Sequence, residues 1–368
     1  MSYKVCRWGI LSAANIARKN WAAIRNSGNS VVTAVASRNK AKAQQFIDEC
    51  SAHTSFATKP IALGSYDEMI SHPEIDAIYL PIPTGMRKEW VIRAAQAGKH
   101  VLAEKPVGCH AGEVAEMIDA CKKANVQFMD GVMFMHSQRM NKLRETLNDG
   151  TSIGDVRRIN SQFSFCGNDE FAQNNIRASG ELEPLGALGD LGWYNIRFSL
   201  WVMNYEMPVR VSGRMLTEAK RTDSTSAVPI EFSGELFFKN GATATYYCSF
   251  RTANQQTAVI SGTKGFASLV DFVVGNYGNE MAFTVTNSGL TQISCDFNME
   301  DHTRRVATHE YSGGWSNSQE TNMVRNFSNL VLTGKTDSHW PEISLKTQQV
   351  MDACVKSARD NGKLVELS

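Results

Sequence analysis

The sequence predicts two domains of different class: an N-terminal doubly wound parallel α/β sheet, then an α+β domain on a large, predominantly antiparallel sheet. Three observations carry this. Short apolar runs alternate with helical patterns from the N-terminus to about residue 130. Long runs of two-residue alternation take over from about Ser152. A chain of 368 residues, 42% of them hydrophobic, is long enough to bury two cores. The domains are placed at 1–130 and 131–368, with the junction inside Gly131 to Ser152.

Val5 to Leu11 reads as a buried strand and Ile16 to Arg25 as a helix with Ile16, Ala17, Trp21 and Ile24 on one face. Val31 to Ala36 is the second strand and Lys40 to Cys50 the next helix. Ile61 to Leu63 and Asp76 to Pro81 are further strands. Glu89 to Ala97 is helical and ends at Gly98, which suits a C-terminal cap. His100 to Ala103 is a strand, Gly112 to Ala124 a helix, and Val126 to Met129 the last strand of the set.

In the second domain the alternating runs are Arg158 to Phe165, Val209 to Leu216, Ile230 to Phe238 and Thr243 to Phe250. Asn240-Gly241 joins two of them as a hairpin turn. Ala258 to Ser261, Phe266 to Leu269, Ala282 to Thr286 and Gln292 to Cys295 continue the pattern. A covering helix is expected near Asp190 to Met203. Ser318 to Leu332 and Ser344 to Ser357 are late amphipathic helices, the last of them positioned to return to the first domain.

The formal net charge of +1, with Lys and Arg scattered, gives no electrostatic case for nucleic acid or an anionic membrane. No apolar stretch is long enough to span a bilayer, and the start, Met1 to Trp8, lacks a signal-type apolar region. The eight cysteines are dispersed without a Cys-x-x-Cys pair or zinc spacing, so no metal site is expected and a reducing cytoplasm is the simplest home. Cys6, Cys166 and Cys248 lie in strand-like runs and are expected to be buried. His110 and His136 are expected to have structural or surface roles.

The first strand-to-helix turn, Gly9-Ile10-Leu11-Ser12-Ala13-Ala14-Asn15-Ile16-Ala17, is a degraded form of the glycine-rich dinucleotide turn of Rossmann domains. Ser12 and Ala14 stand where glycine is common. Small residues here let a backbone approach a pyrophosphate at a helix N-terminus, and the Ser12 hydroxyl can donate to it. The alternative for Gly9 is a plain strand-end glycine. An NAD-preferring site places an acid at the end of the second strand. Here that end reads Ser37-Arg38-Asn39-Lys40, without an acid. Arg38 can stack on adenine and pair with a 2′-phosphate, and Ser37 can hydrogen-bond it, so NADP is expected over NAD; the alternative is a solvated basic helix start.

Lys105, in Glu104-Lys105-Pro106, follows the strand His100 to Ala103. A lysine at the carboxyl end of a parallel strand points into the crevice where open α/β sheets bind ligands. Its ammonium can polarise a hydroxyl or carbonyl, and burial can lower its pKa. Pro106 stiffens the turn, with a cis or trans bond before it. The alternative is an exposed loop lysine. Asp190 and Tyr194, in Gly189-Asp190-Leu191-Gly192-Trp193-Tyr194, are one helical turn apart and share a face. A tyrosine passes a proton to an alcohol oxygen when a cation stabilises its phenolate, and Lys105 is a candidate for that cation. The alternatives are a helix N-cap for Asp190 and a core role for Tyr194.

The order of these pieces resembles the glucose–fructose oxidoreductase / inositol dehydrogenase / rhizopine-catabolism (Gfo/Idh/MocA) family over most of the chain. The resemblance rests on Gly9 to Ala17, Val35-Ala36-Ser37-Arg38, Leu80-Pro81-Ile82-Pro83-Thr84, Ala103 to Val107 and Gly189 to Tyr194. Tyr194 is similar to the branch of dimeric dihydrodiol and D-xylose dehydrogenases and plant-type oxidoreductases, where other relatives carry His. The resemblance implies NAD(P)-dependent hydride transfer on sugars, polyols or related cyclic alcohols. It implies that Lys105 and Tyr194 handle the hydroxyl proton and that Asp190 orients them. Ser12, Ala13, Asn15, Ile16, Leu80, Pro81, Pro83, Thr84, Arg87, Glu104 and Arg177 are implied as cofactor-facing, with Arg87 where His is frequent. It also implies homodimers or higher homo-oligomers through an open face of the second sheet. Two other classes stay open: a glycosidase that oxidises transiently with tightly held NAD, and a dinucleotide sensor without chemistry.

Overall fold

The computed structural model describes residues 4–276 and 278–367; Met1 to Tyr3, part of the start read above, lie outside them. The first elements are β1 (Cys6–Leu11), α1 (Asn15–Asn26), β2 (Ser30–Ala36), α2 (Lys40–His53) and β3 (Ile61–Leu63). They continue with α3 (Tyr66–Ser71), β4 (Ala77–Leu80), α4 (Thr84–Gln96), β5 (His100–Ala103), α5 (Ala111–Lys123) and β6 (Phe128–Asp130). The six strands form one sheet in the order β3-β2-β1-β4-β5-β6, every pair parallel. This is the doubly wound order, which opens a crevice where β1 and β4 diverge into their helices. β4 is buried throughout and reads as a continuous apolar run, as a strand covered on both faces must.

Two helices of the first half depart from the sequence reading. α3 was not anticipated; Ser65 caps it by accepting from Glu68 N. α4 begins at Thr84, one turn and more before the expected Glu89, because Pro83 supplies a non-helical φ and ψ at its N-cap. Its first turn buries two polar side chains, Thr84 and Arg87, in place of an apolar periodic pair, which concealed it.

The second half holds α6 (Gln138–Asn148), β7 (Val156–Cys166), α7 (Asp169–Asn174) and α8 (Trp193–Val202). The strands β8 (Arg210–Ala219), β9 (Val228–Phe237), β10 (Thr243–Ser249), β11 (Arg251–Gly262), β12 (Phe266–Leu269), β13 (Glu280–Ile293) and β14 (Asp296–His309) follow. The last elements are α9 (Gln319–Thr333), α10 (His339–Arg359) and β15 (Val365–Glu366). The nine strands run β14-β13-β12-β11-β7-β10-β9-β8-β15, antiparallel except for the β7–β10 pair. α8 lies on one face, and every residue of it is buried. The other face is polar: Arg158 reaches Glu235 and Thr243, and Thr245 reaches Asn160. β14 replaces the short final strand expected at Gln292 to Cys295; Ser294 and Cys295 turn a long hairpin. Cys6 and Cys248 are buried as expected, but Cys166, the last residue of β7, is exposed.

Both late helices return to the first sheet. Phe327 of α9 packs on Trp8 with ring centroids 5.1 Å apart, and Ser328 accepts from the Trp8 indole at 3.1 Å. On α10, Ser344 donates to Asp130 at 2.8 Å and Asp352 accepts from Ala111 N at 2.6 Å. Among the described residues no helix is long and apolar enough to cross a membrane.

Candidate active site

A cleft of about 600 Å³ lies between the carboxyl ends of the first-sheet strands and the segment leading into α8. One of its walls is the β1–α1 turn. Ser12 adopts φ +139°, a conformation that favours glycine, at the position where the degraded motif lacks one. Ala14, the N-cap of α1, offers no side-chain hydrogen bond, and the first turn carries no acid. The first N–H groups of α1 are therefore left for an anionic ligand. Ser12, Asn15 and Ile16 line the cleft, with Ala13 half-buried between them. Gly9 does not reach it. It is buried inside β1, where a Cβ would collide with Met69, so its smallness serves packing of strand on helix.

Ser37 and Arg38 stand at the end of β2, next to β1 in the sheet. Arg38 is exposed, and among the described residues its guanidinium has no ion pair or hydrogen-bond partner. Asn39, not Ser37, caps α2, accepting from Ala41 N at 2.9 Å.

At the end of β4, Pro81 and Pro83 line the cleft, whereas Leu80 is fully buried in the strand and faces the core. Thr84 and Arg87 serve the walls. Thr84 donates to Glu183 at 2.5 Å, and its N–H meets the same carboxylate at 3.1 Å. Arg87 is 4% exposed and turns inward to the carbonyls of Ile82 and Pro106. It borders the cleft but spends its donors on holding the loop. Glu183 was not anticipated, because a lone acid in a loop carries no periodic signal.

At the end of β5 the Lys105–Pro106 bond is cis. Glu104 is buried and accepts the Tyr79 hydroxyl at 2.5 Å. Lys105 Nζ donates to Asp190 Oδ1 at 2.7 Å and to the Asp190 carbonyl at 2.6 Å. Asp190 lies on a π-helical turn, Leu188–Gly192, that leads into α8. Gly189 makes the approach possible: a Cβ there would press on Pro106 and Leu185. Asp190 is thus no N-cap. Its second oxygen accepts Arg177 Nε at 2.7 Å; Arg177 lines the cleft, and among the described residues its terminal nitrogens have no hydrogen-bond partner.

Tyr194 is buried, and Lys105 Nζ lies 4.6 Å from its ring centroid. No hydrogen bond joins the ammonium to the phenol, so the cation meets the ring face, not the hydroxyl as expected from sequence. Among the described residues the hydroxyl meets only Met133 Sδ, a weak acceptor at 3.6 Å. Burial raises the Asp190 carboxyl, but the charges of Lys105 and Arg177 outweigh it and hold the group well below the usual carboxylate range. Burial, then the charges of Glu104 and Asp190, push the Tyr194 phenol well above its ordinary value. The Tyr194 phenol is therefore neutral and Asp190 an anion. Lys19, Asn20, Met133, Glu320 and Met323 also line the cleft, as do Asn174, Asn175 and Ile176 ahead of Arg177. Lys19 and Asn20 follow Ile16 at helical spacing, a signal that was available; Glu320 and Met323 arrive from α9 and had none.

Residues 6–132 match the family described as GFO_IDH_MocA, an oxidoreductase family with an NAD-binding Rossmann fold. Residues 140–268 match the GFO/IDH/MocA C-terminal domain. The chain belongs to the Gfo/Idh/MocA family. It is an oxidoreductase that uses a nicotinamide dinucleotide, in the branch with dihydrodiol and D-xylose dehydrogenases. It is 31% identical to mouse trans-1,2-dihydrobenzene-1,2-diol dehydrogenase over 72% of this chain and 74% of that one. It is 29% identical to D-xylose 1-dehydrogenase (NADP(+)) 2 of Haloferax volcanii, over 98% of this chain and 99% of that one. Among solved structures, KijD10, a 3-ketoreductase from Actinomadura kijaniata in complex with NADP and TDP-benzene, has a TM-score of 0.79 at 22% identity, covering 96% of this chain and 98% of that one. Levoglucosan dehydrogenase, in complex with NADH and levoglucosan, has a TM-score of 0.80 at 19% identity, covering 99% of each chain. At these identities the structural likenesses speak to the fold.

Proposed function

We propose that this protein is an NADP-preferring dehydrogenase or reductase acting on a CH–OH group of a sugar, polyol or related cyclic alcohol. The observation that carries the reading is the meeting of Lys105, Asp190 and Tyr194 in one cleft with the uncapped start of α1. Those residues fit a dinucleotide: Ser12 and the α1 N–H groups would take its pyrophosphate, Pro81 and Pro83 would flank it, and Arg38 would take a 2′-phosphate. When bound, the dinucleotide exchanges a hydride with the substrate carbon.

The chain's own residues manage the oxygen. Of the three Lys105 N–H groups, Asp190 takes two and leaves one for a substrate oxygen. In reduction, Tyr194 gives its proton to the oxygen that gains charge, while Lys105 stabilises that oxygen. Oxidation runs the same transfers backwards. Asp190 fixes the lysine, and Arg177 fixes Asp190 while offering free N–H groups to substrate hydroxyls. The named activities of the mouse and Haloferax relatives support a diol or sugar substrate and, in the latter, NADP. A second copy on the polar open face of the large sheet is the assembly that fits best.

The test is absorbance of reduced nicotinamide with purified protein, either dinucleotide, and a panel of aldoses, polyols and trans-diols. Turnover with NADP is expected, and Arg38→Asp is expected to weaken NADP by roughly ten- to a hundred-fold while sparing NAD. Tight dinucleotide binding with no turnover on any member of the panel would overturn the reading.

A further inference from the structure

The hairpin of β13 and β14 runs past the end of its sheet. β12 pairs with β13 only as far as Thr286. Beyond that point no third strand joins the hairpin among the described residues, and every residue from Ser288 to Arg305 is exposed. Cross-strand partners share a face. On one face Phe283 and Val285 are buried in the core. On the other, which continues the open side of the sheet, Ala282 stands opposite Ala307, Thr286 opposite Thr303 and Leu290 opposite Met299. Phe297, opposite Gln292, follows on that same face. Leu290, Phe297 and Met299 are 63%, 66% and 75% exposed. An apolar cluster held out in water in this way marks an interaction site.

The same face carries the complement. Where the hairpin rejoins the sheet, a groove of about 670 Å³ is lined by Ala282, Ala307, Val270, Arg305 and His309. Cluster and groove lie about 27 Å apart along each strand, at roughly 3.4 Å per residue. A two-fold axis crossing the hairpin midway, at Thr286 and Thr303, lays each cluster on the groove of the other copy, because in an isologous contact residue i meets j and j meets i. Leu290 and Met299 then fall on Ala282 and Ala307, large on small, and Phe297 falls on His309. The apolar pairs alone fix this register, yet it also sets Asp301 against Arg305, a pair of opposite charges. Within its own chain Arg305 pairs with Glu280. The acids Asp296, Glu300 and Asp301 on the hairpin make an anionic membrane surface the poorer partner.

We infer that the β13–β14 hairpin is a dimer arm: Leu290, Phe297 and Met299 of one copy occupy the groove at Ala282 and Ala307 of a second copy, and the reverse. This rests on the open-face assembly proposed above and gives it a register.

The experiment is sedimentation velocity on the intact protein over a concentration series. A dimer is expected, and Leu290→Lys, at an exposed position beyond the end of the sheet, is expected to raise its dissociation constant by about a hundred-fold. For the register, Met299→Cys and Ala307→Cys proteins are mixed and treated with a short bismaleimide. Each also carries Cys166→Ser and Cys295→Ser, which removes the exposed thiols. The mixture is expected to give a cross-linked dimer, and neither protein alone is. A dimer indifferent to Leu290→Lys, or one that fails to cross-link in the mixture, would overturn the arm and leave the open-face assembly standing. A wild type that stays monomeric at every concentration would remove both.

Discussion

Two ion-pair clusters flank α8, and they use the same chemistry to opposite ends. At its start, Asp190 holds Lys105 and Arg177, with side chains 16%, 11% and 41% exposed. In its middle, Arg197 grips Asp130 through both terminal nitrogens, with both side chains at most 1% exposed. The sealed cluster is complete: Arg197 Nε donates to Thr347 at 2.7 Å, and Ser344 donates to Asp130. It ties β6, α8 and α10 together, and each guanidinium nitrogen of Arg197 has a partner. The open cluster keeps an ammonium N–H and guanidinium nitrogens uncommitted, at a cleft. Satisfied polar groups specify a fold; unsatisfied ones beside a cavity await a ligand.

The largest effect expected from breaking the contrast falls on the open cluster. Lys105→Met should lower turnover by about a thousand-fold, roughly 4 kcal/mol, while NADP affinity by titration survives. Near-normal turnover would remove Lys105 from the mechanism. On the sealed side, Arg197→Met leaves Asp130 charged and buried and should cost roughly 3–5 kcal/mol in denaturant unfolding, with folded molecules still turning over. Equal loss of activity and stability in both variants would erase the distinction.

A pH titration sharpens the sealed side. His136 is buried, stacked on Trp340 at 4.6 Å; burial and then the Arg197 charge depress it from 6.5 to about 3. The unfolded chain binds this proton more readily, so its contribution is full above about pH 6.5 and is lost progressively as pH falls toward 3. About 3 kcal/mol of stability should disappear between pH 6.5 and 4. His136→Gln should flatten that slope in thermal melts at successive pH values; an unchanged slope would assign it elsewhere. The smallest effect is that of Arg177→Leu: with its side chain 41% exposed, the lost pair should cost under about 1 kcal/mol. Its KM for a polyhydroxylated substrate should nevertheless rise. A large drop in melting temperature would show that the open cluster is structural after all.

The parts of this molecule legible in its sequence are those with local periodicity. β5 was read at its observed bounds because an apolar strand between a C-capping glycine and a proline leaves little freedom. Lys105, Asp190 and Tyr194 were found together because strand-end and helical spacing constrain where each points. β14 was missed because its outer half is exposed on both faces and so lacks alternation. The turn of Arg87 into the loop was hidden because an arginine at a helix start gives no sign of which carbonyls it will meet. Likewise, the spacing of Tyr194 from Asp190 reveals a shared side but not whether a cation will sit on the ring or on the hydroxyl. Glu183 and Glu320 are tertiary facts: each reaches the cleft from an element far along the chain.

The contact between Trp8 and Ser328 has a consequence for synthesis. The two residues are 320 apart, so at 5–20 residues per second the first strand waits about 16–64 s for the helix that covers it. During that time the Trp8 face and the α1 surface that α9 will bury stay open to water and to other nascent chains. The N-terminal domain of this protein leaves the ribosome early but is finished late, and its dependence on chaperones should be decided by that interval.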